Sequence, residues 1–253
     1  MNSHRLLVAR GKDLVLLDWN HEDATFYPDS ANLTFITSVA NEKGLEGNVW
    51  NEAKADVKGR LWAGTIGFDP TMKIKTKNKA ALYVLNPNSS NAEKVVGNIS
   101  ISNSLAWNPE NTLMYYIDSS TRRIDVFDYD VERGLISNRR ELFDFKENNI
   151  SGNPDGIIID NKGNLWITCF FGGIVINVDP RTRTLIRTLE FPTTLVTSVT
   201  WGGPKLDVLY VTTSQVGLSE EQKSKQPLAG AVFTVSCLGA KANAPAYLVV
   251  RGK

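Results

Sequence analysis

The segment Leu61-Trp62-Ala63-Gly64 decides the fold, because four other segments of the chain repeat its pattern of a leucine followed by apolar or small residues. The five copies are LLVA at residues 6–9, LWAG at 61–64, LMYY at 113–116, LWIT at 165–168 and LYVT at 209–212. Their first leucines are 55, 52, 52 and 44 residues apart. This spacing is in the range of a β-propeller blade rather than of a helical solenoid.

The residues around each copy predict antiparallel strands. Polar turns precede three of the copies, at residues 56–60, 109–112 and 160–164, and each turn contains Gly or Asn, which tolerate a positive φ. A second alternating strand follows each copy, as in ALYVLN at residues 81–86 and IVINVD at 174–179. A β-sandwich or barrel is the alternative, but the long period and its five repetitions favour a propeller, in which loops from every blade converge at one channel mouth.

Length, composition and charge predict a single propeller domain over residues 1–253. The hydrophobic fraction of 42% is typical of a globular protein, and the sequence predicts no membrane span. The 28 basic and 27 acidic residues are spread along the chain, so no surface for nucleic acid is predicted. Nothing in the sequence implies a specific protein partner. The N-terminus lacks the apolar core of a secretory signal, and we therefore expect a cytoplasmic protein.

The chain contains few residues for soft metals or nucleophilic catalysis. Its two cysteines, Cys169 and Cys237, lie in apolar strands without metal-ligand spacing, and its two histidines, His4 and His21, lie in polar surroundings near the N-terminus. A histidine-built metal site or a Ser-His-Asp triad is thus poorly supported. Any metal is expected to be a hard cation bound by oxygen.

Three polar residues occupy equivalent positions in consecutive repeats. Asn51, Asn103 and Asp155 are 52 residues apart, and each lies ten residues before the leucine of its own repeat. They should therefore enter the channel from the same side. Two amide oxygens and one carboxylate suit Ca²⁺ or a similar cation. The alternative is that Asn and Asp only terminate loops through backbone hydrogen bonds.

Many segments resemble one family. They include ISN at residues 101–103, YYIDS at 115–119, VFDYD at 126–130, GLISNRR at 134–140, PDG at 154–156 and QPLAG at 226–230. In order and over nearly the whole chain, they resemble the regucalcin (senescence marker protein), gluconolactonase and luciferin-regenerating-enzyme family. The resemblance implies a six-bladed propeller with a divalent metal at one channel mouth and hydrolysis of sugar lactones.

The resemblance also assigns roles to individual residues. It makes Asn103 and Asp155 metal ligands, Asp155 the catalytic base as well, and Asn51 and Glu52 substrate-binding residues. The metal would be Ca²⁺, with Zn²⁺ or Mn²⁺ as alternatives, and it would polarise the lactone carbonyl while Asp155 takes a proton from the attacking water.

The chain departs from the family in three places. The N-terminal segment that carries a Glu metal ligand has no counterpart, so we expect the first of six blades to be incomplete or missing and cation affinity to be weakened. Val49 replaces an arginine, and Glu52-Ala53 replaces Asp-Gly. A lactonase is therefore the first reading of the function. A non-catalytic relative that binds calcium or a small ligand is the second, and a protein-interaction propeller is the third.

Overall fold

The computed structural model describes residues 5–18, 33–39, 45, 47–67 and 77–250. These residues form eighteen strands, one short helix and a 3₁₀ turn. The strands are β1 (Arg5–Arg10), β2 (Asp13–Asp18), β3 (Leu33–Ser38), β4 (Asn48–Ala55), β5 (Leu61–Gly67), β6 (Ala80–Leu85), β7 (Glu93–Ile99), β8 (Ser102–Trp107), β9 (Leu113–Asp118), β10 (Arg123–Asp130), β11 (Leu135–Asp144), β12 (Asn153–Ile159), β13 (Leu165–Phe170), β14 (Ile174–Asp179), β15 (Thr184–Glu190), β16 (Val196–Gly202), β17 (Val208–Thr213) and β18 (Val232–Val235). The 3₁₀ turn is Ser119–Thr121, and the helix α1 is Glu220–Lys225.

The strands form five antiparallel sheets in chain order, each of which is one blade. Blade 1 contains β1–β3, blade 2 β4–β7, blade 3 β8–β11, blade 4 β12–β15 and blade 5 β16–β18. The all-β propeller prediction is confirmed. The prediction of a six-bladed type with a missing or incomplete first blade is wrong, because the structure has five blades, one for each copy of the repeat. In blade 1 the first copy pairs with β2 along its whole length.

Two compact units contain these blades. The first comprises Met1–Ala55, Gly59–Ser102 and Leu248–Lys253, and it contains blades 1 and 2. The second comprises Asp56–Lys58 and Asn103–Tyr247, and it contains blades 4 and 5 together with blade 3 from Asn103 onward. Contacts inside each unit do not test whether residues 1–253 are one domain, so that expectation stays a prediction.

The turn before the repeat leucine is built in the same way in three blades. Asp56 accepts a hydrogen bond from the backbone of Lys58 at 2.9 Å, and Asp160 accepts one from the backbone of Lys162 at the same distance. Asn108 takes this role in blade 3 and accepts from the backbone of Leu113 at 2.7 Å. These short side chains accept hydrogen bonds from backbone N–H groups of the turn, which explains why polar residues precede the apolar run in these three blades.

The repeat segments themselves form the cores. In the second unit, Trp166 is almost completely buried beside Trp201, with ring centroids 5.6 Å apart. In the first unit, Trp50 and Tyr83 contact edge to face at 5.4 Å in a cluster with the buried Leu61 and Ala63. Burial of aromatic rings of this size dominates core energetics, so the repeat determines both the strands and their packing. No helix among the described residues is long and apolar enough to span a membrane.

Candidate functional site

The first strand of three blades contains a break in its pairing register. In β4 the break lies between Trp50 and Ala53, in β12 between Pro154 and Ile157, and in β16 between Val196 and Ser198. Asn51 and Glu52 thus lie in the bulge of β4, and Asp155 lies in that of β12. Bulges re-aim side chains and are frequent beside active sites. Asn51 and Asp155, which occupy equivalent positions in the repeats, therefore also lie in equivalent bulges.

Asn103 lies on β8 and is connected through Ser119 to β12, the strand that carries Asp155. Its side chain is only 8% exposed, and its Nδ2 donates a hydrogen bond to Ser119 Oγ at 3.0 Å. Ser119 Oγ in turn donates to the backbone carbonyl of Pro154 at 2.6 Å. Two hydrogen bonds therefore connect Asn103 to the residue that immediately precedes Asp155.

The residues on either side of Asp155 are fixed by neighbouring strands. The carbonyl of Pro154 accepts from Ser119, and the backbone N–H of Gly156 donates to Thr168 Oγ1 at 2.7 Å. A Cβ at Gly156 would lie 2.6 Å from the Cα of Ser198, so this position admits no side chain without a backbone shift. Asp155 itself is half-buried. Its backbone is therefore held from both sides while its carboxylate keeps access to solvent.

An arginine holds the segment that leads into β12. Arg122 Nε donates to the carbonyl of Gly152 at 3.1 Å, and its NH2 group donates to that of Ile150 at 2.8 Å. The backbone N–H of Arg122 also donates to the carbonyl of Ser119, which closes the 3₁₀ turn. The guanidinium forks onto two carbonyls, a geometry that its fixed donors favour. The 3₁₀ turn and the residue that follows it, Arg122, thus contact both Asn103 and the segment that leads to Asp155.

Asn51 and Glu52 lie in the bulge of β4, in the first unit. Asn51 is exposed, and its Nδ2 donates to the carbonyl of Ser102 at 2.9 Å. Glu52 is half-buried on the same strand as Lys54. Burial lowers the pKa of Lys54 from its ordinary 10.5 to about 8, and the nearby Glu52 carboxylate opposes that shift. Glu52 therefore has a cationic neighbour on its own strand.

The side-chain oxygen atoms of Asn103 and Asp155 are of the kinds that bind a hard divalent cation. Because Nδ2 of Asn103 is used by Ser119, its carbonyl oxygen Oδ1 is the end left for a ligand, and Asp155 adds a carboxylate. Oxygen ligands of these two kinds are those that Ca²⁺ prefers. Among the described residues, no group of three or more His, Cys, Asp or Glu side chains is placed to bind a metal. A cation at the pair would therefore need water or other oxygen atoms to complete its shell.

A separate groove lies in the second unit. It has a volume of about 410 Å³, and its walls include the turn Gly172–Gly173, Phe191, Thr193 and Gln226. Neither Asn103 nor Asp155 lines it. The groove is open to solvent and contains none of the site residues predicted from the sequence.

Sequence reasoning did not find Ser119, Arg122 or Thr168. Each acts through contacts between different elements, and such contacts leave no periodic signal in the chain. Asp118 ends β9, which begins at the third repeat leucine, and Ser119 begins the 3₁₀ turn. The sequence offered only their place in the YYIDS segment that resembles the family. The assignments of Asn51, Glu52, Asn103 and Asp155 stay predictions, since the geometry places these residues without testing their roles.

Comparison with known proteins identifies relatives over nearly the whole chain. Residues 1–215 match the family model described as SMP-30/Gluconolactonase/LRE-like region. The regucalcin of Homo sapiens is 35% identical over 236 residues, which cover 93% of this chain and 74% of the relative. That of Xenopus laevis is 34% identical over 239 residues, covering 94% and 75%. The solved structure of a luciferin-regenerating enzyme is 35% identical and superimposes with a TM-score of 0.84, covering 99% of this chain and 78% of its own.

Proposed function

Because the chain belongs to the SMP-30/gluconolactonase/LRE-like family, we propose that it is a metal-dependent hydrolase of sugar lactones that binds Ca²⁺. The observation that carries the proposal is the hydrogen-bonded path from Asn103 through Ser119 to Pro154, beside Asp155. It supports one site built from an amide oxygen and a carboxylate. The proposed partner is a small lactone, and the proposed compartment is the cytoplasm.

Asp155 is the general base in this proposal. Hydrogen bonds to its two neighbours fix the backbone at Asp155, which supports this role because a base must be positioned within hydrogen-bond reach of the proton that it accepts. Asp155 takes a proton from the attacking water and later returns it to the departing ring oxygen. A bound divalent cation would supply Lewis-acid polarisation of the lactone carbonyl. Asn103 Oδ1 and Asp155 are the residues that would hold it.

No covalent nucleophile is part of this mechanism. Burial raises the pKa of the Cys169 thiol, which leaves that sulfur protonated and inert at neutral pH. A strained ring ester is open to direct attack by water once its carbonyl is polarised. The proposal therefore needs only direct attack by water with acid–base catalysis, and no acyl-enzyme is formed.

The test is hydrolysis of D-glucono-1,5-lactone by the purified chain, titrated with Ca²⁺, Zn²⁺ and Mn²⁺. We expect turnover that depends on the metal and is abolished by Asp155→Ala. Asp128→Asn is the matched control, because this carboxylate lies in the same unit, pairs with Arg140 and is 46% exposed. Turnover that is equal in the wild type and in Asp155→Ala would reject the proposal.

A non-catalytic ligand-binding relative is the second candidate. It is favoured by Val49, which pairs with Ile66 on β5 and offers no donor to a hydroxyl-rich lactone. In that case the same titration would show calcium binding by calorimetry without turnover of any aldonolactone.

A further inference from the structure

The hydroxyl of Ser119 makes two hydrogen bonds of opposite sense between Asn103 and Pro154. It accepts from Asn103 Nδ2 at 3.0 Å and donates to the Pro154 carbonyl at 2.6 Å. The residue is 7% exposed, so water offers little competition for either bond. Ser119 is the one described side chain that bonds both to Asn103 and to the residue before Asp155.

We propose that Ser119 is a positioning residue that sets the orientation of the Asn103 amide and the place of Asp155, and thereby the cation affinity of the pair. This inference rests on the proposed function, because it concerns the same site. It assigns to Ser119 no contact with the substrate or with the cation.

The hydroxyl group of Ser119 has a single proton to donate. Ser119 Oγ donates that proton to the Pro154 carbonyl, which has no proton to return. Toward Asn103 the oxygen can then only accept, and only the Nδ2 end of the amide can donate to it. The amide is thus fixed in the one orientation that directs Oδ1 away from Ser119. A cation needs that oxygen, whereas the flipped amide would present N–H groups and repel it.

The backbone of Ser119 is itself held in place. Asp118 caps the 3₁₀ turn by accepting from the backbone N–H of Ser120 at 3.2 Å and from its hydroxyl at 2.7 Å. At the other end, the N–H of Arg122 donates to the Ser119 carbonyl at 3.2 Å, while the guanidinium binds Ile150 and Gly152. The backbone of Ser119 is therefore fixed by its own turn, and its hydroxyl determines where Asn103 and Pro154 lie.

The test compares Ser119→Ala with the wild type by calorimetric titration of the metal-free chain with Ca²⁺. Loss of a partner that orients a ligand costs about 10–100-fold in metal affinity, and we expect a loss of that size. Thr65→Val is the matched control, because it removes a buried hydroxyl that bonds to Ala81 in the first unit, outside the Asn103–Asp155 pair. The control should keep wild-type calcium affinity even where its melting temperature falls as far as that of Ser119→Ala.

A second pair of variants separates orientation from packing. Ser119→Thr keeps the hydroxyl and should retain most of the affinity, whereas Ser119→Cys keeps the size but only a weak acceptor and should lose it. Both remain informative if the alanine variant does not fold. In the metal-free chain, the side-chain NH₂ resonance of Asn103 should move in Ser119→Ala and stay in Thr65→Val.

The outcomes distinguish this inference from the proposed function. Wild-type calcium affinity in Ser119→Ala, or an equal loss in Thr65→Val, would overturn the role of Ser119 while leaving a metal-dependent lactonase intact. A wild-type chain that binds no divalent cation would overturn both. A selective loss in Ser119→Ala and Ser119→Cys, with rescue by Ser119→Thr, would establish the role even if no lactone is turned over.

Discussion

The bulges of β12 and β4 occupy equivalent places in their blades, yet they use their polar residues in different ways. In β12, Asp155 is half-buried and is flanked by backbone groups that Ser119 and Thr168 hold. In β4, Asn51 is exposed, and its own side chain donates a hydrogen bond to the Ser102 carbonyl. At equivalent positions, the protein thus anchors the backbone around Asp155 but the side chain of Asn51.

The two bulges also differ in their second residue. In β12 this residue is Gly156, which is buried against Ser198, whereas in β4 it is Glu52, which carries a long side chain and is half-buried. The β12 bulge is therefore packed tightly against blade 5. The β4 bulge has room for a side chain at the corresponding position, which makes it the more tolerant of the two. This difference yields predictions for both bulges, in stability as well as in activity.

Exchanging the charges of the two bulges should have the largest effect. Asp155→Asn removes the proposed base and should lower kcat by about 10²–10⁴-fold, the range for loss of general acid–base catalysis. Adding Asn51→Asp restores the net charge but places the carboxylate in the other bulge. We expect no recovery of lactone hydrolysis in the double variant. Recovery would mean that the two positions are interchangeable and that the comparison is mistaken.

Gly156→Ala should destabilise the chain by about 1–3 kcal/mol, because the new methyl group meets backbone atoms of Ser198 that cannot rotate away. Ala53→Gly, at the residue that follows the β4 bulge, is the comparison in β4, and it should cost no more than about 1 kcal/mol, through backbone entropy alone. Urea unfolding of both variants measures the difference. Equal losses would contradict the view that only the β12 bulge is tightly packed.

The fold was largely predictable from the sequence, because a blade is a local unit with a local signal. The five leucine segments and the polar turns at Asp56, Asn108 and Asp160 fixed the strands and their hairpins. The blade count of six was taken from the family and was wrong. The five copies read directly from the chain give the number of sheets that the structure has.

The site was less predictable, because its geometry depends on contacts between blades. Spacing placed Asp155 and Asn51 at equivalent positions but could not show their different hydrogen bonds. A bulge shifts the pairing register without changing the distance to the next repeat leucine, so spacing could not reveal it. The segments around Asn51 and Asp155 were interpreted as loops at the channel mouth, but they are bulged parts of β4 and β12. Ser119 depends on two partners from different strands, and no pattern within one strand specifies it.

The stability of the chain should depend on pH through Lys54, which lies just after the β4 bulge. The pKa of Lys54 is lowered to about 8, so between about pH 8 and 10.5 the unfolded chain binds more protons than the folded one, and stability rises with pH in that window. Lys54→Met should remove this rise and gain about 1–2 kcal/mol at pH 7, after allowance for partial exposure. Urea unfolding at pH 7, 8, 9 and 10 measures it, with the exposed Lys94→Met as control. Parallel curves for Lys54→Met and wild type would refute the assignment.

The smallest effect should come from the Asn51 hydrogen bond. Asn51→Ala loses one partly solvated bond to the Ser102 carbonyl and should cost about 0.5–1 kcal/mol. Asn51→Asp should lower the stability more than Asn51→Ala does, although aspartate has nearly the shape of asparagine. A carboxylate oxygen would then face the Ser102 carbonyl oxygen where the Nδ2 donor stood. If Asn51 instead contacts the cation, the added charge of Asn51→Asp would raise calcium affinity. Calorimetry and urea unfolding of the two variants therefore decide whether this residue serves the fold or the site, and we expect aspartate to lower stability while calcium affinity stays unchanged.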